Sequence, residues 1–182
     1  MGGFSHTKGW IFGYKLHLIS NTGSIIVPLA ADFTTANITD NQIYNTLIAN
    51  LPVTTQQGKY SMFLRTLPGY DDHELYEFSS SMGFQLVCPV QRYKNTPVDR
   101  IKLVEFYESE VGQSIYSLRS ISIEPLIEHI KSVFRIDPLP VRGYNKASSV
   151  VLLSVLLYQI LVYYNYKTKK DNPRAIKYML GT

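Results

Sequence analysis

The sequence predicts an α/β domain with helices packed on a mixed sheet, and three observations support this fold class. Short apolar runs typical of strands alternate with longer runs at helical spacing, in the order strand, strand, helix, strand, helix, strand and helices. Of the 182 residues, 45% are hydrophobic and only 18% are charged, which excludes a disordered chain. A chain of this length can bury a core without covalent cross-links. The single cysteine, Cys88, cannot form an internal disulfide, so we expect a reducing compartment, the cytoplasm.

The first elements are a hairpin and a helix. Apolar residues recur over Ile11–Ile19 and again over Ile25–Leu29, and the turn-forming residues Asn21–Gly23 lie between them. Downstream, Thr39 is suited to cap a helix, and Asp40 lies in its first turn, where negative charge suits the helix dipole. The functional alternative for Asp40, a place near an active site, is the weaker one because helix-start aspartates commonly only cap.

A second helix lies between two predicted strands. Asp71 and Asp72 open this helix and are placed to cap it, and Gly83 ends it in the usual C-terminal way. Cys88 lies within the apolar run that follows, so we expect it to be a buried small hydrophobe rather than a nucleophile. The two strands are predicted over Tyr60–Leu64 and Phe84–Val90.

The helix that begins near Ser122 carries the most informative pattern. Ser122 is a good N-cap residue, and Pro125 fits just inside the helix start. Glu124, Glu128 and Lys131 are spaced so that they lie along one helix edge. Such an edge could bind a divalent cation beside a phosphate. The ordinary alternative is an amphipathic surface helix with a ladder of ion pairs.

Beyond spacing, the sequence resembles a known family. The order Tyr116, Arg119, Glu124, Lys131 is similar to the Tyr–Arg–Glu–Lys signature of insertion-sequence transposases of the DDE superfamily. The resemblance extends over nearly the whole chain to about Asn165. It is carried by four further blocks: GYKLHLISNTG at Gly13–Gly23, LPGYDDHELYEF at Leu67–Phe78, LPVRGY at Leu139–Tyr144 and LLYQILVYYN at Leu156–Asn165.

The resemblance implies a ribonuclease-H-like fold, here lacking its first strand, and two-metal chemistry with Mg²⁺ or Mn²⁺ held by two aspartates and a glutamate. The family glutamate corresponds to Glu124, the one candidate catalytic and metal-binding residue. The strand with the first aspartate precedes the part that this chain matches, and the position of the second aspartate is Leu67. Tyr116, Arg119 and Lys131 match accessory positions expected to contact DNA or to steady the glutamate.

Three further basic residues are candidate DNA contacts. Arg92 and Lys94 flank Tyr93, a pattern that suits phosphate contact with base stacking, although from the pattern alone a solvated loop is the favoured interpretation. Arg142 lies in the LPVRGY block. The net charge of +4 permits a nucleic-acid partner without demanding one.

The C-terminal part contains an uncharged segment, Ala147–Tyr166, flanked by Lys146 and Lys167. A helix buried against a sheet is the favoured interpretation, and a membrane span is the alternative. Residues 1–166 are then a partial transposase catalytic domain, and residues 167–182 are a basic flexible tail.

The expected function is DNA transposition by a family that binds, cleaves and joins DNA at insertion-sequence ends. Because Glu124 is the single family carboxylate carried over, we expect this copy not to cleave DNA by itself. One alternative is a non-catalytic DNA-binding or regulatory fragment that pairs with an intact transposase subunit. Others are a degenerate remnant of a transposase gene and a protein anchored in a membrane by residues 147–166.

Overall fold

Strands dominate the first half of the chain and long helices the second half. The computed structural model describes residues 2–5, 9–51, 63–65, 71–90 and 96–181. In this part of the chain the strands are β1 Gly2–Ser5, β2 Gly9–Phe12, β3 Tyr14–Ser20, β4 Pro28–Thr35, β5 Phe63–Arg65 and β6 Gln85–Val87. The helices are α1 Asp40–Ala49, α2 His73–Ser81, α3 Val98–Glu108, α4 Glu110–Phe134 and α5 Tyr144–Lys167, followed by a 3₁₀ turn at Lys177–Leu180. The predicted α/β class is confirmed.

The described strands form three two-stranded sheets rather than one central sheet. Strands β1 and β2 are antiparallel, as are β3 and β4, whereas β5 and β6 are parallel. The predicted hairpin is present as β3–β4, but its second strand begins at Pro28 instead of Ile25. The side chain of Asn21 explains the shift, since its Oδ1 accepts from Val27 N at 2.7 Å and its Nδ2 donates to Ile25 O at 2.8 Å. These bonds hold the connection as a loop instead of extending the ladder.

By contact density the chain divides into two units, Met1–Thr39 with Ser122–Thr182, and Asp40–Ile121. The core of the first unit lies between β4, α5 and the C-terminal half of α4. Two side-chain hydrogen bonds hold α5 to β4: Tyr144 Oη donates to Phe33 O at 2.7 Å, and Gln159 Nε2 donates to Pro28 O at 2.9 Å. The buried core comprises Phe33, Leu126, Ile130, Val133, Ile136, Ala147, Val151, Val155, Tyr158, Val162 and Ile176.

In the second unit α2 packs against α1 and β6. The hydroxyls of Tyr44 and Ser79 are 2.6 Å apart, and burial raises the pKa of Tyr44 to about 12. Asp72 caps α2 as predicted, its Oδ1 accepting from Glu74 N at 3.0 Å. Gly83, with φ of 79°, follows the helix end and supplies the left-handed backbone that glycine adopts without strain. Cys88 is buried, as predicted.

The predicted start of α4 is wrong. The helix begins at Glu110, so Ser122 and Pro125 lie inside it, and Ser122 is buried. The capping residue is Ser109, whose Oγ accepts from Gly112 N at 3.1 Å. Ser122 has the chemistry of a cap, but the residues before it are already helical and its N–H therefore lies within the ladder. Pro125 costs that ladder one backbone hydrogen bond, because proline has no N–H to donate.

The segment after α5 folds back onto this helix. Asn165, fully buried in the last turns of α5, donates through Nδ2 to Pro173 O at 3.1 Å and accepts from Tyr178 Oη at 2.9 Å. Ile176 is also fully buried and belongs to the core of the first unit. Tertiary contacts thus extend past Ile176 to Tyr178, and Met179 and Leu180 also pack against the core. The division into residues 1–166 and 167–182 stays a prediction.

Candidate functional site

Helix α4 carries the four residues of the predicted signature, Tyr116, Arg119, Glu124 and Lys131. Glu124 and Lys131 are seven residues apart, a spacing of about two turns, so they lie on the same side of the helix as predicted. Arg119 precedes Glu124 by five residues, a spacing at which two helical side chains do not face each other. The helix itself therefore aligns the glutamate with the lysine and not with the arginine.

Glu124 is exposed on α4. A two-metal site also needs further oxygen ligands at short, nearly fixed distances. Whether these ligands come together around Glu124 decides whether it can take part in metal chemistry.

Two carboxylates of the first unit contact Lys131. Its Nζ donates to Glu128 Oε1 at 3.0 Å and lies 3.4 Å from Asp137 Oδ2. The pKa of Lys131 is raised, mainly by the hydrogen bond to Glu128 and to a smaller extent by Asp137. The partial burial of Lys131 acts in the opposite direction and reduces the rise. The ion-pair ladder considered for this helix edge is therefore present between Glu128 and Lys131. Asp137, which follows the helix, is a partner that helical spacing could not reveal.

The other predicted DNA contacts have different surroundings. The ring of Tyr116 meets that of Tyr107 edge to face, with centroids 5.4 Å apart and planes at 77°. Arg119 is half-buried, and Arg142 is exposed in the loop before α5. Arg92 and Lys94 lie outside the described residues.

Asp71 is the carboxylate nearest in sequence to Leu67, which also lies outside the described residues. Asp71 forms an ion pair with Arg100, with its Oδ2 2.5 Å from the guanidinium Nη2. Tyr76 Oη donates to Asp71 Oδ1 at 3.4 Å and lies 2.9 Å from Cys88 Sγ, and burial raises the pKa of Tyr76. Asp71 is thus part of a structural polar cluster, and of the two aspartates predicted to cap α2 it is Asp72 that accepts the capping hydrogen bond.

The described residues do not supply a metal site of the expected kind. No group of three or more His, Cys, Asp or Glu side chains in this part of the chain is arranged to hold a metal ion. Of the acidic residues discussed for the site, Asp71 is paired with Arg100 and Glu128 with Lys131. This donor set does not fit a site that needs three carboxylates, and we derive no catalytic step through a metal.

Sequence reasoning missed a cluster around His129 in the first unit. The His129 ring meets Tyr158 edge to face with centroids 5.7 Å apart, and Arg174 Nε donates to Tyr158 Oη at 3.2 Å. Burial lowers the pKa of His129, and the positive charges of Arg174 and Lys177 lower it further. Because the three elements that meet here are far apart in sequence, no local pattern could have indicated the cluster.

Helix α5 also matters for the membrane alternative. It is the one helix in the described ranges that is long and apolar enough to cross a membrane, and 33% of its most apolar window is buried. Its buried residues face β4 and the core of the first unit. The favoured interpretation, a helix packed on a sheet, therefore holds for one face of α5.

Comparison with known proteins gives one family. The sequence model of the family described as Transposase DDE domain matches residues 2–160, which is most of the chain. No significant match is found among curated proteins or among solved structures. The match spans the predicted signature residues and three of the four further blocks that carry the resemblance, and it ends inside the fourth, Leu156–Asn165.

Proposed function

Because the chain belongs to the transposase DDE domain family, we propose that it binds DNA at insertion-sequence ends without cutting it. The family match supports a role in DNA transposition. The proposal that the chain does not cut DNA depends on which family carboxylates it has. Glu124 matches the family glutamate, but the position of the second aspartate is Leu67. Asp71, the nearest carboxylate in sequence to Leu67, forms an ion pair with Arg100.

A ribonuclease-H-like arrangement is part of the proposal. It is supported by an antiparallel hairpin, β3–β4, followed by a parallel pair, β5–β6, and by a long helix that bears the glutamate. In such an arrangement the glutamate helix stands at the edge where strand ends present the aspartates. We propose this arrangement for the chain.

We propose that Mg²⁺ or Mn²⁺ serves the active members of the family but is not bound productively by this chain. DDE transposases typically use divalent metals, which activate water or a DNA 3′ hydroxyl and stabilise the leaving oxygen. One exposed glutamate cannot replace three converging carboxylates, because Mg²⁺ demands near-octahedral oxygen ligands at about 2.0–2.1 Å. Glu124 is therefore proposed as a remnant of the catalytic set.

DNA attraction is assigned to basic side chains. Arg142 and Lys146 are exposed around the start of α5, and Arg92, Lys94, Arg119 and Lys131 are further candidates, with Tyr116 as a stacking or positioning residue. Lys131 would have to exchange Glu128 or Asp137 for a phosphate. We propose DNA as the main partner and an intact transposase subunit as a second one, in the cytoplasm.

No membrane anchor is included in the proposal. A helix that spans a bilayer would give up the hydrogen bonds of Tyr144 to Phe33 and of Gln159 to Pro28, together with the buried contacts of α5. These contacts support a helix that stays on its sheet.

The absence of cutting is tested with supercoiled plasmid in Mg²⁺ and in Mn²⁺. We expect no nicking above the background of a Glu124→Gln variant. Metal-dependent nicking by the wild-type chain that disappears in Glu124→Gln would overturn the proposal that the chain is inactive.

DNA binding is measured by fluorescence anisotropy on short linear duplexes at several salt concentrations. We expect affinity to fall steeply with salt, and Arg142→Ala to reduce the slope of log K against log salt by about 0.9, the value for one phosphate contact. Arg142→Lys is the matched control, because it keeps the charge while changing the side chain. Salt-independent binding, or none, would remove the DNA-binding part of the proposal.

A further inference from the structure

Helix α5 has a second apolar face that the core of the first unit does not use. Six large apolar or aromatic side chains on it are between 39% and 62% exposed. We call them the outer stripe: Leu153, Leu156, Leu157, Ile160, Tyr163 and Tyr164. No Asp, Glu, Lys or Arg lies between Lys146 and Lys167, so no charge interrupts the stripe.

The spacing of the outer stripe is that of a helix-packing surface. Its members recur three and four residues apart, so they form one continuous row along the helix. Ile160 and the buried Val162 are two residues apart, which places them on nearly opposite sides of α5. The helix is thus apolar on both faces, whereas a surface helix with a single partner is polar on its outer face.

The exposed area is large enough for an interface. A fully exposed large side chain presents about 200 Å², so the outer stripe leaves on the order of 600 Å² of mostly apolar surface. This is at the upper end of the largest apolar patch found on a typical monomer, about 300–600 Å². Two copies placed face to face would bury up to about 1,200 Å², which is the lower limit of the range for specific, stable interfaces.

We propose that the outer stripe is the contact between two copies of this chain, with α5 packed against α5 about a twofold axis. A twofold contact uses the same patch on both partners, and a row of Leu and Ile at three- and four-residue spacing is complementary to itself. The Tyr163 and Tyr164 hydroxyls can stay at the wet rim while their rings pack. DNA is a poor occupant because the stripe carries no cation. A bilayer is a poor occupant because the opposite face of α5 is held on β4.

The test is the mass of the full chain in solution, measured by sedimentation equilibrium between about 1 and 100 µM. We expect a mass of twice 20.8 kDa for the wild-type chain. Ile160→Glu places a charge at the centre of the stripe and should weaken self-association at least about a hundredfold, leaving a 20.8 kDa species.

A matched pair of variants separates the stripe from general effects of added charge. Tyr164 and Tyr166 are 55% and 57% exposed and lie two residues apart, on nearly opposite sides of the helix. We expect Tyr164→Glu to dissociate the dimer and Tyr166→Glu to leave it intact. Both positions are exposed, so both variants should fold, which far-UV circular dichroism checks.

Three results would overturn the proposal. They are a wild-type chain that is monomeric up to 100 µM, a dimer that survives both Ile160→Glu and Tyr164→Glu, and a monomer that sediments with neutral phosphatidylcholine vesicles through the stripe. The outcome is independent of the DNA assays, because no residue of the outer stripe is a candidate DNA contact.

Discussion

Replacing Ile176 with alanine tests whether the C-terminal segment belongs to the folded core. Ile176 is fully buried and packs in the core of the first unit, although it lies in a stretch whose composition predicts a flexible basic end. If these contacts hold the segment in place, truncating the side chain must lower the free energy of unfolding. If the segment is flexible, the same change costs almost nothing.

The size of the effect follows from the atoms removed. Isoleucine to alanine deletes three carbon atoms, each contributing about 0.8 kcal/mol when buried, or about 2.4 kcal/mol in all. The cavity left behind adds to this loss, and measured costs for Ile→Ala in cores are about 2–5 kcal/mol. Because neighbouring groups can partly collapse into the cavity, we expect a cost at the lower end of this range, about 2–3 kcal/mol.

The assay is urea unfolding followed by far-UV circular dichroism. With a slope of roughly 2 kcal/mol per molar urea, the midpoint of the transition should fall by about 1–1.5 M. Ile176→Val, which removes one methyl group, should cost about 0.5–1.5 kcal/mol. Lys177→Ala, which truncates the exposed neighbouring residue, is the matched control and should stay within about 0.5 kcal/mol of wild type.

A shift below about 0.5 kcal/mol for Ile176→Ala would refute the reasoning. It would mean that the contacts of Ile176 contribute nothing to the folded state, and the prediction of a flexible tail over residues 167–182 would stand. A graded loss from valine to alanine, with no change in slope, would instead extend the folded domain past Lys167.

Two further predictions concern the first unit. Because burial lowers the pKa of His129 below the usual value of a histidine, the unfolded chain binds the proton more readily, and stability should decline as pH falls from about 7.5 to about 5.5. Urea midpoints across this range should fall less for His129→Gln, and equal declines in both proteins would contradict the assignment. Tyr144→Phe removes the hydrogen bond to Phe33 O and should cost about 0.5–1.5 kcal/mol. The exposed Tyr166→Phe is its control in the same urea titration, and an unchanged midpoint for Tyr144→Phe would show that the bond contributes nothing.

Local chemistry was predictable wherever a residue acts on its own neighbours. Asp72 caps α2 because a carboxylate one residue before a helix can accept from its first-turn N–H groups. Gly83 follows the same helix because a left-handed backbone favours a residue without a Cβ. Cys88 is buried because it lies in the apolar run that begins at Leu86. The same local logic misplaced the start of α4, because Ser109 and Ser122 both have the chemistry of a cap. Only Ser109, with φ of −66° and ψ of 156°, has the extended backbone of a capping residue.

In the candidate site, too, some features were predictable from the sequence and others depend on the tertiary structure. The alignment of Glu124 with Lys131 is a property of helical spacing and was predictable. The pairing of Lys131 with Asp137, and of Asp71 with Arg100, depends on where a loop and a separate helix lie. Charge pairs between distant residues leave no periodic trace in a sequence.

The sequence by itself determined the α/β class, the order of the elements from β3 onward and the membership of the transposase DDE domain family, because each depends on local periodicity or on motifs of fixed spacing. Only the tertiary structure decided which face of α5 is buried. The helix is apolar all round, so its sequence pattern has no polar side to direct outward. Contacts with β4 determine which face is buried. Tyr144 bonds to Phe33 and Gln159 to Pro28, and each bond joins residues more than a hundred positions apart.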